Sequence, residues 1–204
     1  NLYVLESRTP QLVKFPRMSS GYGSPAAAGL SAGNPVDIAV DGAGNVYVAD
    51  SGLGAVVEVP WTGTGYGAQT TVISAGTAGY VPTGVAVDAS GNAYFTDSNS
   101  GTVVKVPWTG SAYSSTVVTV GSGFTQPLLP NVDAAGNVYV EDSGNARAAE
   151  IPWTGSSYGT PTTFYSPATG DTLEGLGLDT GRNLYVLYKN SGGTYGTWKE
   201  DYAD

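Results

Sequence analysis

The chain has no cysteine and no histidine in its 204 residues. Without cysteine there is no disulfide, no thiolate metal site and no thiol nucleophile. Without histidine the usual general base, the Ser-His-Asp triad and the commonest zinc ligand are all excluded. Acid–base chemistry is left to Asp, Glu, Lys and Tyr. Positive charge is scarce too: 8 Lys and Arg face 17 Asp and Glu, a net charge of −9. Such a chain repels phosphate, which argues against nucleic acid as a partner. It offers no basic cluster to anionic lipid, and no apolar run long enough to span a bilayer. The expectations are therefore no nucleic acid, no membrane insertion, no cofactor and no tightly held metal. Asn1 stands where an initiator Met is absent, which reads as a processed or excised piece. Helix formers never run uninterrupted: Gly, Pro or β-branched residues break every candidate.

What is present is a repeat. Asp41-Gly-Ala-Gly-Asn-Val-Tyr-Val-Ala-Asp50 returns as Asp88-Ala-Ser-Gly-Asn-Ala-Tyr-Phe-Thr-Asp97 and as Asp133-Ala-Ala-Gly-Asn-Val-Tyr-Val-Glu-Asp142. A fourth copy runs from Asp179 to Tyr188, and the chain opens inside a fifth at Asn1-Leu-Tyr-Val-Leu5. The anchoring Asn residues stand at 1, 45, 92, 137 and 183, so the intervals are 44, 47, 45 and 46. A second element keeps step: Val57-Glu-Val-Pro-Trp-Thr-Gly63, Val104-Lys-Val-Pro-Trp-Thr-Gly110 and Ala149-Glu-Ile-Pro-Trp-Thr-Gly155, with a weaker relative at Leu12–Pro16.

Each unit reads as four short strands. Strand a is Val36–Val40 or Gly84–Val87, strand b is Val46–Ala49, strand c is Val56–Val59, and a Thr/Val-rich strand d follows the Pro-Trp-Thr-Gly turn. Asp, Asn and Gly suit the a-to-b turn because their side chains bond local backbone and tolerate positive φ. Four strands repeated every forty to fifty residues select a β-propeller, whose blades bury both faces against neighbours. The fold expected is all-β, a β-propeller of four-stranded antiparallel blades, about five in number with incomplete terminal blades. It forms a single domain over 1–204, in units of approximately 1–33, 34–80, 81–126, 127–172 and 173–204. Small residues at Ala39, Ala86 and Gly177 suit a crowded centre, and Tyr47, Tyr94, Tyr139 and Tyr185 are expected between blades.

The pattern resembles the NHL repeat. Pro82-Thr-Gly-Val-Ala-Val-Asp88 and Gly44-Asn-Val-Tyr-Val-Ala-Asp-Ser51 carry the likeness. It implies a scaffold for protein or ligand binding, of the kind found in bacterial secreted proteins and extracellular sensor domains, and hence an extracellular or cell-surface location. Relatives that bind RNA do so through a basic face, and lyase relatives use His and a metal; this chain has residues for neither. It departs from the pattern at Pro130-Asn131, where Val and Ala stand in other units, and in the last unit, which lacks Pro-Trp-Thr-Gly.

The candidate functional residues sort by face. Asp50, Asp97, Glu141 and Asp142 end strand b beside the loops entering strand a at Asn34, Tyr80, Gln126 and Glu174. A ring of carboxylates there suits a cation, an amine, or acid–base hydrolysis of sugars. Against this, a residue recurring blade after blade is what turn capping demands. Arg147, Tyr188 and Lys189 interrupt the repeat on that face. Trp61, Trp108 and Trp153 belong to the opposite face, each covering its own hairpin. A strand a is missing before Asn1 and a strand d after the final unit. Leu2, Tyr3 and Val4, and Tyr195 and Trp198, therefore mark open edges able to pair with another chain, including a copy of this one, even as a filament. The reading favoured is a non-enzymatic binding or assembly module. The alternative is a His-free propeller enzyme, lyase or glycoside-active, using carboxylates on one face.

Overall fold

The computed structural model describes residues 1–31, 33–74, 76, 79–179 and 181–200. Blade one holds β1 (Leu2–Glu6), β2 (Gln11–Phe15) and, after a small hairpin of β3 (Arg17–Met18) and β4 (Gly21–Tyr22), β5 (Ala26–Gly29). Blade two is β6 (Pro35–Val40), β7 (Val46–Asp50), β8 (Ala55–Val59) and β9 (Thr70–Ser74). Blade three is β10 (Pro82–Val87), β11 (Ala93–Asp97), β12 (Thr102–Val106) and β13 (Val118–Ser122). Blade four is β14 (Pro127–Val132), β15 (Val138–Asp142), β16 (Arg147–Ile151) and β17 (Thr162–Tyr165). Blade five is β18 (Thr172–Leu178), β19 (Leu184–Lys189) and β20 (Tyr195–Glu200). The three central blades have four strands and the two terminal blades three, in sequential order. All pairing is antiparallel. Among the described residues, helix is confined to one 3-10 turn at Ser143–Asn145. This is a five-bladed β-propeller with thin terminal blades.

The a-to-b turn works as a latch. Asp41 Oδ1 accepts from Ala43 N and Asn45 N, both at 2.9 Å, while Oδ2 accepts from Asn45 Nδ2 at 2.8 Å. Gly44 sits at φ 92°, which a side chain would strain. Asn45 Oδ1 then accepts from Trp61 N at 2.9 Å, tying the a-to-b turn to the c-to-d turn. Blades three and four repeat the tie through Asn92 with Trp108 and Asn137 with Trp153. Each Trp covers its own hairpin, with its ring centroid 5.0, 4.8 or 4.7 Å from Tyr66, Tyr113 or Tyr158.

The core is divided between blade interfaces. Tyr47, Val56 and Phe95 pack between blades two and three. Tyr94, Val138 and Ile151 pack between three and four, and Leu12 with Val46 and Val48 between one and two. Tyr47, Tyr94 and Tyr139 are buried as expected, but Tyr185 is 39% exposed. The face of β19 that carries Tyr185 and Leu187 points away from blade four, whereas Val186 on its other face is buried there. The irregular strand β14 keeps its place. Pro130 lines the central channel, and the ladder slips between Leu128 and Asn131, so the missing donor falls where no partner is required.

Candidate functional site

Two ends of the propeller differ in kind. The a-to-b and c-to-d turns form one end. The other gathers the starts of β6, β10, β14 and β18 with the ends of β7, β11 and β15. At this second end Asp50, Asp97 and Asp142 are buried and serve as loop anchors. Asp50 Oδ1 accepts from Asn34 N at 2.8 Å, Gly52 N at 3.0 Å and Leu53 N at 2.8 Å. Asp97 accepts from Val81 N at 2.8 Å and from the Ser100 hydroxyl. Asp142 accepts from Thr125 N at 2.7 Å and is bridged by Arg147 Nε at 2.7 Å. Tyr80 packs edge-on against Phe95, and the Tyr188 ring lies 6.3 Å from that of Tyr165. Lys189 Nζ lies 5.6 Å over Tyr195. These side chains are engaged in local structural contacts, within a blade or, for Tyr188, with the neighbouring blade four. Trp198 turns inward, 4.9 Å from Tyr165, rather than outward from its edge.

Glu141 is different. It occupies the position held by Leu5, Ala49, Thr96 and Leu187 in the other blades. Its sheet neighbours are Leu128 and Ala148, and Ala148 belongs to the apolar contact with blade five. The residue is 2% exposed and its Oε2 is shut from solvent without a hydrogen-bond partner. Burial, helped by the nearby charge of Glu174, pushes its carboxyl up to about 7.

The central channel holds a second unmatched carboxylate, absent from the sequence-based candidates. A cavity of about 450 Å³ is lined by the inner strands, among them Ile38, Val40, Val85, Val87 and Leu176, and Asp37 and Asn131 add polar side chains to it. Asp37 stands where the other units have Gly84, Leu129 and Gly175. Its Oδ2 accepts from Val85 N of the next blade at 2.9 Å. Desolvation nonetheless outweighs that bond and raises its pKa to about 6. Asn131 Nδ2 donates to Leu129 O at 3.1 Å and Leu176 O at 3.4 Å, joining blades four and five. Aligning the units shows Asp37 as a break in the repeat; the turn motifs, being louder, drew the sequence reading elsewhere. Among the described residues no group of three or more His, Cys, Asp or Glu is arranged to hold a metal ion.

No family model and no curated protein matches the chain by sequence. Solved structures match its fold. A streptogramin B lyase superposes with TM-score 0.71 at 12% identity, over 96% of this chain and 64% of the lyase. A catalytically inactive His-to-Ala form of virginiamycin B lyase from Staphylococcus aureus, with quinupristin, gives 0.67 at 10% identity, over 98% and 70%. A nidogen/laminin complex gives 0.71 at 18% identity, over 96% and 76%. The chain thus spans less than two thirds of the streptogramin lyase's length. The expectation that the chain is not an enzyme is corrected by these neighbours, which include named lyases. That expectation rested on the breaks at Pro130-Asn131, Arg147 and Tyr188-Lys189, which form no catalytic set, and left out Asp37, a titratable break that only the packing of strands around the channel buries.

Proposed function

We propose that the chain is an acid–base enzyme on an NHL-type propeller scaffold, acting on a ligand seated at the channel cavity, with Asp37 as its general base. The observation that carries this reading is Asp37 itself, an unmatched carboxylate and the titratable side chain of the channel cavity, with a pKa raised to about 6. A base poised just below neutral pH is largely deprotonated at pH 7 yet still basic enough to take a proton. The lyase neighbours support a lyase-type elimination, in which Asp37 takes a proton from a substrate carbon, the C–H electron pair becomes a C=C bond, and the bond from the adjacent carbon to the leaving group breaks with its electron pair departing on that group. Glycosidic bond cleavage is the other acid–base reaction that the test below covers. The neighbour inactivated by loss of a histidine has no counterpart for that residue here, because this chain has none. Of the residues that line the cavity, Asp37 is the one able to act as a base near neutral pH.

Quinupristin and a panel of nitrophenyl glycosides, followed by mass spectrometry and absorbance, provide the test. Asp37→Asn is expected to lower turnover by about 10²–10⁴-fold, and the wild-type rate to fall below a pH near 6. Equal turnover by the variant, or none by the wild type across the panel, would sink the proposal. A second reading, association through the terminal blades, is favoured by the exposure of Leu2 (45%), Val4 (41%) and Tyr195 (58%). Sedimentation as a monomer at high concentration would dismiss it.

A further inference from the structure

At the turn end, away from the mouth that Asp37 approaches, the repeat builds the same cleft between successive blades and fills it differently each time. The third residue of the Leu12–Phe15 strand and its counterparts is Lys14, Glu58, Lys105 and Glu150 in blades one to four. Between blades one and two, Lys14 Nζ lies 3.3 Å from the centre of the Trp61 ring and 5.8 Å from that of Tyr3. Lys14 is only 7% exposed, so this ammonium is held inside the cleft by aromatic faces. Between blades three and four, Lys105 Nζ lies 5.2 Å over Tyr94 in a cavity also walled by Trp153 and Tyr158. Between blades two and three the Lys is replaced by Glu58. The cavity there is about 490 Å³ and is lined by Asp41, Glu58 and Asp88 with Tyr47, Trp108 and Tyr113, and no basic residue lines it. Glu150 faces the last blade, which has no Pro-Trp-Thr-Gly turn and so no Trp wall.

We infer that the cleft between blades two and three binds a ligand carrying a primary ammonium on an alkyl stem, as in a lysine side chain, in the place that Lys14 takes in the neighbouring cleft. The aromatic walls are the ones that already hold an ammonium there: Trp108 corresponds to Trp61, and Tyr47 to Tyr3. The charge is the inverse. Asp41 and Asp88 are engaged as turn caps and bring two carboxylates to the cavity wall. Glu58 adds a third and sits in a desolvated position close enough to Asp41 for burial and that repulsion to raise its pKa. A cation entering the cleft relieves this repulsion while stacking on Trp108. The back wall is fixed: Tyr113 OH donates to Tyr47 OH at 2.9 Å, and Tyr47 OH to Asp41 Oδ2 at 3.4 Å.

The test is calorimetric titration of the whole chain with Nα-acetyl-lysine methylamide, n-butylammonium and the uncharged Nα-acetyl-norleucine methylamide. Both amines are expected to saturate one site at millimolar concentration, more weakly as salt rises, and the norleucine compound is not. Butylammonium matching the lysine compound assigns recognition to the ammonium and stem, and a tighter lysine compound extends it to the peptide. Glu58→Lys gives the cleft the residue that Lys14 and Lys105 already supply elsewhere, so it is expected to fold and to bind at least about tenfold more weakly. Lys105→Glu is expected to bind a second equivalent. The inference is overturned by no saturable binding of amines to the wild type, by equal binding of norleucine, or by undiminished binding to Glu58→Lys.

Discussion

The same turn serves a central blade and a terminal blade with nearly identical bonds and different surroundings. Asp88 caps Ser90 N and Asn92 N at 2.9 Å and takes a hydrogen bond from Tyr94 OH at 3.0 Å. Asp179 does the same with Gly181 N at 2.8 Å, Asn183 N at 2.9 Å and Tyr185 OH at 3.0 Å. Yet Tyr94 is 1% exposed and Tyr185 is 39% exposed. Local chemistry is copied from blade to blade, whereas burial depends on what stands beside each blade. The central blades pack on both faces. In the terminal blades one face carries the core and the other shows Leu2 and Val4, or Tyr185 and Leu187, to solvent. Stability should follow that difference.

The sharpest contrast is between apolar truncations. Phe95→Ala removes a fully buried ring between blades two and three and is expected to cost about 3–5 kcal/mol in urea unfolding. Leu2→Ala on the open face should stay within about 0.5 kcal/mol. Comparable losses at the two sites would mean that the outer face of blade one is covered in solution.

Next in size, and opposite in sign, is Glu141→Ala, which restores the residue found at the matching point of blade two. A carboxyl whose folded pKa of about 7 lies above its ordinary 4.5 destabilises the fold once ionised. Its contribution is therefore most favourable below pH 4.5 and is lost as pH rises through 7. The variant should gain about 2 kcal/mol at pH 8 and little at pH 4. Asp37→Asn should behave likewise on a smaller scale, about 1 kcal/mol at pH 8, since its carboxyl keeps one backbone donor and faces the channel. Thermal melts at the two pH values check both, and a gain independent of pH would remove the titration from the explanation.

The smallest effect concerns the two copies of the turn. Asp179 has its pKa lowered by the Asn183 side chain and backbone N–H, so the support it gives is present at neutral pH and lost as pH falls through its folded value. Asp179→Ala should lower the melting temperature slightly at pH 7 and not at pH 2, and less than Asp88→Ala does. Equal shifts would show that the latch, rather than burial, sets the strength of each blade.

Much of the fold was legible because it is local. Asp41, Gly44 and Asn45 bond within five residues of chain, so their spacing alone declares the turn. Repetition of that spacing declares the propeller, and counting strands anticipates the three-stranded terminal blades. Asp50, Asp97 and Asp142 recur at one place in the repeat, and each accepts bonds from its own blade's loops. The chemistry was not legible in the same way. Asp37 is an unremarkable letter within a strand, and its pKa is raised because neighbouring blades bring apolar residues around it. Glu141 looked like one more carboxylate in a ring until the blade-five contact shut its Oε2 away. Lys14 and Glu58 occupy equivalent positions in the repeat, but only the stacking of one blade on the next sets Lys14 against Trp61 and leaves Glu58 facing an open cleft. Turns and strand order depend on bonds between residues close in sequence, which the chain itself specifies. Ionisation and cavities depend on which surfaces meet across blades some forty-six residues apart, and only the packed propeller decides that.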